Sequence, residues 1–257
     1  MPQGEINFWV ILFWFLGLQG LILSYILFFK KRGIVKGSRV LGVLVFLFSL
    51  ILLAYGSMQG SLFGIYPHFL LIAFPFYFLR PPLYYLYSLV LTRKAFRFKK
   101  IYLLHLIPFL LYVIYMLFIF KDMPDAIRLT FMVSPEKTDS PGFLLLFFRF
   151  AISIQEIIYV FLGIRVIKRY QMQYEDEHSA AKDTRIPPLL WLRRLFILLF
   201  LQGVVVLGVT IYMLVTGTVS FPITHFAVLA NSFIMYMIAY LALFRQWKIY
   251  PLDGPAG

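Results

Sequence analysis

Cysteine is absent from the 257 residues, which excludes disulfides, thiolate metal sites, iron–sulfur clusters, cysteine nucleophiles and palmitoylated cysteines. Charge is scarce as well: 14% of residues are Asp, Glu, Lys or Arg, where soluble chains carry about 25%. Acids are the scarcest, 11 against 24 bases, and no two carboxylates sit on facing hydrophobic segments where an intramembrane hydrolase would need them. H-E-x-x-H, G-x-S-x-G and Walker sequences do not occur. The last hydrophobic segment holds no lysine, so the retinal Schiff base of a rhodopsin cannot form there. No internal repeat stands out, which speaks against an inverted-repeat transporter. From these absences the chain is not expected to be an enzyme, and no catalytic residue, cofactor or metal is assigned.

What abounds is hydrocarbon: 61% of residues are hydrophobic and 19% aromatic, with a mean hydropathy of +0.85. A bilayer core about 30 Å thick needs about 20 apolar residues at 1.5 Å each. Seven stretches meet that length, at 6 to 29, 40 to 58, 67 to 91, 101 to 120, 143 to 167, 193 to 216 and 220 to 244. The sequence therefore predicts an all-α polytopic membrane protein, with residues 1–250 as one seven-helix transmembrane domain and 251–257 as a C-terminal tail. Met1 to Glu5 holds no basic region and the first apolar run exceeds a signal-peptide core, so span one reads as an anchor.

The net charge of +13 is mostly a topology signal. Lys30, Lys31, Arg32, Lys36 and Arg39 follow span one; Arg93, Lys94, Arg97, Lys99 and Lys100 follow span three. Arg165, Lys168, Arg169, Lys182, Arg185, Arg193 and Arg194 surround the exit of span five and the entry of span six, and Arg245 and Lys248 follow span seven. The opposite loops carry Lys121, Arg128 and Lys137, outnumbered by Asp122, Asp125, Glu136 and Asp139. By the positive-inside rule the N-terminus is outside and the C-terminus cytoplasmic. The basic loops lie beside anionic headgroups, so membrane lipid is the expected partner and direct nucleic-acid contact is not. The two sizeable loops, 121 to 142 outside and 168 to 192 inside, leave no room for a further domain.

Charges at membrane depth cost a few kcal/mol or more, which makes Arg80, Arg149 and Glu156 the informative residues. Arg149, Ser153 and Glu156 share one face of span five as a polar stripe. Arg80 on span three is expected to pair with Glu156. That pair is either a register device that fixes helix contacts or the lining of a ligand site able to stabilise one of two helix arrangements. Pro75, Pro81 and Pro82 remove the N–H donors that would serve the carbonyls of Leu71, Tyr77 and Phe78, predicting a kink and a need for donors such as Arg80 or Arg149. Asn231 on span seven joins the candidate polar core. Gln19, Ser24, Ser49, His105, Gln202, Thr224, His225 and Ser232 read as interhelical hydrogen bonds, each worth about 0.6 to 2 kcal/mol. His68 and His225 fall near the outer ends of spans three and seven, too few ligands for a metal site. The 17 Tyr and 29 Phe supply interfacial belts and bundle packing.

Residues 96–115 read FRFKKIYLLHLIPFLLYVIY and are preceded by PFYFLRPPLYYLYSLVL. This region resembles the N-terminal seven-helix membrane module of Bacteroidota transcriptional regulators that carry a C-terminal AraC-type helix-turn-helix domain, and the similar module of some sensor histidine kinases. Pro82, Leu83, Tyr85 and Tyr87 approximate that family's Gly-Pro-Leu-Leu-Tyr-x-Tyr segment, with Arg80 and Pro81 where the family has Gly beside the proline. Leu104, His105 and Pro108 match its Leu-His-x-x-Pro segment, and Tyr240 to Gln246 resembles its exit into the cytoplasm. The resemblance implies a multi-pass protein of the bacterial inner membrane that passes a stimulus from the outer face or membrane interior to a cytoplasmic output domain or partner protein, which this chain does not contain. It implies a small ligand or lipid as stimulus and accommodates a homodimer. Two other readings stand beside it: a small transporter or channel subunit using the Arg80, Arg149, Glu156 stripe, and a structural subunit of a membrane complex.

Overall fold

The computed structural model describes residues 7–31, 35–59, 75–93, 96–122, 143–178, 189–216 and 221–244. Among them the protein is helical with no strand. In chain order the α-helices are α1 (Phe8–Phe28), α2 (Val35–Gln59), α3 (Phe76–Thr92), α4 (Ile107–Asp122), α5 (Phe143–His178), α6 (Leu190–Thr216) and α7 (Phe221–Phe244). A 3₁₀ segment, Lys100–Leu106, leads into α4. The segment from Lys100 into α4, together with α1, α2, α5, α6 and α7, gives six helices long and apolar enough to cross a membrane. The chain is thus a multi-pass helical membrane protein. For α3, 17 residues are described, of the stretch expected from residue 67. His68, most of the outer loop, residues 179–188 with Pro187 and Pro188, and the tail 251–257 lie outside the described residues.

The first helix shows why these segments are helices and which way they face. Asn7 opens it as an N-cap, its Oδ1 accepting from the Val10 N–H at 3.0 Å. Val10, Phe13, Gly17, Gly20, Ser24 and Leu27 recur at three- and four-residue spacing and are buried. Phe8, Ile11, Phe15, Leu18, Ile22 and Tyr25 repeat the spacing on the other side and are exposed. A helix apolar on every face, half of it bare, is built for hydrocarbon on its outer side.

Packing runs in a ring: α1 along α2, α2 on α3, α3 on α5, α5 on α6, α6 on α7, and α7 back onto α1 and α2. Phe13, Leu44, Phe48, Tyr84, Val160, Phe196 and Met235 fill its interior. In lipid, close backbone approach replaces the hydrophobic drive, and small residues permit it. Gly42 of α2 meets the Phe28 backbone, and Gly20 of α1 lies under the hydroxyls of Ser49 and Tyr236. The Tyr236 hydroxyl donates to Leu16 O at 2.5 Å, locking α7 into the gap. The fourth span is peripheral: it is the least buried of the six, held through Tyr112 and Met116 against Phe78 of α3 and Phe148 of α5.

Three boundaries differ from the sequence expectation. The second helix starts at Val35, five residues early, because the polar turn from Lys36 to Arg39 bonds as helix before the apolar run begins. The fourth span opens as 3₁₀ rather than α. Pro108 has no N–H for the Leu104 carbonyl, which instead takes the Ile107 N–H, the tighter 3₁₀ bond. The fifth helix does not stop at 167. It continues to His178, 36 residues or about 54 Å, well beyond a core of about 30 Å. Tyr170, Gln171 and Tyr174 of the extension are buried, and Arg193 Nη1 at the start of α6 donates to Gln171 Oε1 at 2.7 Å. Leu189 initiates α6 with a left-handed φ of 63° and is fully buried; packing holds a conformation that costs a branched residue about 1–2 kcal/mol.

Candidate functional site

Arg80 and Glu156 meet in the bundle interior, Nη2 to Oε2 at 2.6 Å, with side chains 6% and 8% exposed. Helix α3 brings the arginine and α5 the glutamate, and both are shielded from bulk solvent. The guanidinium lies over the Phe48 ring of α2 at 5.2 Å and over the Tyr77 ring at 5.6 Å, so its faces meet π electrons while its edge meets the carboxylate. Glu156 Oε1 accepts from Asn231 Nδ2 of α7 at 3.3 Å. One ion pair thereby draws four helices, α2, α3, α5 and α7, to a common point. Burying both charges costs several kcal/mol each, recovered only because they are paired and hydrogen-bonded.

The remaining stripe residues are placed differently. Ser153 is buried but its hydroxyl donates to the Arg149 carbonyl at 2.9 Å, one turn back on its own helix, and it does not reach the pair. Arg149 is half-buried two turns before Glu156, within electrostatic reach of the phenols of Tyr55 and Tyr77. The stripe is therefore two groupings: the Arg80, Glu156, Asn231 junction, and Arg149 with two tyrosines.

Helix α3 runs helical through Pro81 and Pro82, with Pro75 at its N-cap taking the Phe78 N–H at 3.0 Å. Pro82 leaves the Phe78 carbonyl without its intrahelical donor, and the donor that replaces it is Gln155 Nε2 at 3.2 Å. Sequence reasoning assigned that task to Arg80 or Arg149 and missed Gln155. A neutral amide beside Glu156, on a helix facing a carbonyl freed by proline, was the available signal. The α3–α5 contact thus carries an ion pair and, about one residue along, a side-chain bond that mends the helix ladder.

Of the other polar residues, several cross between helices. Ser24 Oγ donates to Gly42 O at 2.8 Å, Gln19 Nε2 to the Tyr240 hydroxyl at 2.6 Å and Gln202 Nε2 to Ala227 O at 3.2 Å. His105 Nδ1 lies 2.6 Å from the Tyr159 hydroxyl, joining the 3₁₀ segment to α5. His225 is buried among Trp9, Phe13 and Tyr55, its Nδ1 3.5 Å from the Tyr55 hydroxyl. Ser232 bonds back to its own helix at Val228 O. Lys30 Nζ reaches the Ala242 and Leu243 carbonyls at 2.9 and 3.3 Å, closing the last turn of α7 with a cation. Among the described residues no three His, Asp or Glu side chains gather as metal ligands. Compared with known protein families, curated proteins and solved structures, the chain finds no match in any of the three.

Proposed function

We propose that this chain is a seven-span signal-transducing module of the bacterial inner membrane, N-terminus outside and C-terminus cytoplasmic, that couples a stimulus from the outer face or membrane interior to a cytoplasmic output domain or partner protein. The observation that carries the reading is the Arg80, Glu156, Asn231 junction beside the Pro81, Pro82 turn. A buried ion pair held by partners on several helices is an exchangeable contact, and α3 is where the helix ladder is weakest. A ligand or lipid that favours one packing of α3, α5 and α7 over another would shift the population of the two, which is all that coupling requires. Support for the output side comes from α7, whose last turn is tied to α1 by Gln19 and Lys30. Support for the topology comes from the basic residues clustered at one set of helix ends.

The test is distance measurement between spin labels at Met172 and Phe244, both exposed, in nanodisc-reconstituted protein. A signalling junction predicts that Asn231→Leu redistributes the distances between two discrete values. A single unchanged distance together with lowered stability would make the junction structural only. Solute uptake into proteoliposomes, lost on changing Glu156, would instead favour the transporter reading. Reporter fusions at the two termini settle the orientation, and both termini in one compartment would overturn it.

A further inference from the structure

The junction holds more hydrogen-bonding capacity than its side chains use. Arg80 Nε, the Tyr84 hydroxyl and Asn231 Oδ1 are buried and have no hydrogen-bond partner among the described residues. All three belong to one locality. Arg80 and Asn231 each bond to Glu156, and Tyr84 follows Arg80 by one turn on the same face of α3. Arg80 is 5% exposed, Asn231 4% and Tyr84 fully buried, so bulk solvent does not satisfy them. In a bilayer interior such groups are expensive to leave unmet.

We propose that Arg80 Nε, Tyr84 and Asn231 Oδ1 form an internal binding site for ordered water at the proline-interrupted level of α3. The chemistry selects the ligand. The Arg80 and Glu156 charges compensate each other, so the site calls for neither an anion nor a cation. Its unused groups are an N–H donor, an amide oxygen acceptor and a hydroxyl that does either. A neutral molecule that both donates and accepts matches this set, and water, which bonds to about three such groups when buried, is the smallest. Gln155 Oε1, on the residue beside Glu156, is a further buried acceptor without a partner among the described residues. The assignment does not depend on the signalling reading: a purely structural junction would hold the same water.

Radiolytic hydroxyl-radical labelling of the full chain in nanodiscs tests it, because radicals form from water at the site. Phe196 is an internal control: it is fully buried, and its ring centroid lies 6.0 Å from that of Tyr84. The expected result is Tyr84 labelled several-fold above Phe196. Equal, background labelling of Tyr84 and Phe196 would overturn the proposal. In Asn231→Val, labelling of Tyr84 should fall to the level of Phe196; undiminished labelling with Phe196 still silent would remove Asn231 from the site and overturn it as stated. Should that variant fail to fold, the comparison of Tyr84 with Phe196 in the unaltered chain decides alone.

Discussion

Replacing Glu156 by Gln keeps the shape of the side chain and an oxygen for Asn231, but leaves the Arg80 guanidinium buried against a neutral amide. Removing one partner of a buried pair costs about 3 to 5 kcal/mol. The Phe48 and Tyr77 rings still face the cation and retain about 0.5 to 2 kcal/mol each, so the lower end, about 3 kcal/mol, is expected. At 1.4 kcal/mol per tenfold, that is roughly a 100-fold fall in the ratio of folded to unfolded protein. Arg80→Met should cost a similar amount for the mirror-image reason. The double variant removes both charges and should be more stable than Glu156→Gln alone, which requires a coupling of more than about 3 kcal/mol. Unfolding in mixed micelles, titrated with denaturing detergent, measures all four corners of the cycle. If the two single losses simply add, with coupling below about 0.5 kcal/mol, the side chains do not stabilise each other and the account of the junction fails.

Four further outcomes are expected. Gln155→Leu should cost about 1 to 3 kcal/mol by stripping the Phe78 carbonyl of its replacement donor, read in the same titration, while a chain carrying Pro82→Ala, which returns an N–H to that carbonyl, should tolerate it. Gly20→Ala should destabilise by about 1 to 3 kcal/mol because the added methyl runs into Ser49 and Tyr236, whereas Gly208→Ala, with open space around it, should be neutral or better; melting temperatures compare them. Tyr159→Phe should cost about 0.5 to 1.5 kcal/mol and raise amide exchange across the 3₁₀ segment, since His105 loses its bond to α5. Lys30→Met should speed amide exchange in the last turn of α7 and lower stability by about 0.3 to 1 kcal/mol, with no change in α3.

How much of this was legible in the sequence follows from what lipid penalises. Arg80 and Glu156 announce themselves because ionised groups are rare in hydrocarbon, and the two meet as expected. Asn231 was readable as a polar residue at depth, but its partner was not, since helix rotation decides which neighbour an amide meets. Ser153 shares a helical face with Glu156 and yet serves its own backbone, a local bond open to any hydroxyl in a helix. Gln155 escaped notice because hydropathy ranks a neutral amide below a charge, although a carbonyl that proline deprives of its N–H also demands a partner in lipid. The run of helix beyond residue 167 was hidden for the opposite reason. Hydropathy marks where the bilayer ends, and Tyr170 and Tyr174 continue a buried stripe that a count of apolar residues does not register.

That overhang turns α5 into a lever. From Glu156 to His178 is about 22 residues, or ~33 Å of helix at 1.5 Å per residue. A tilt of about 5° pivoting on the carboxylate would swing the far tip by roughly 3 Å over that length. The beginning of α6, clasped to the arm through Gln171 and Arg193, would travel with it. A change too small to disturb the packing around the fulcrum would thus arrive at the protruding end as a displacement comparable to the width of a side chain.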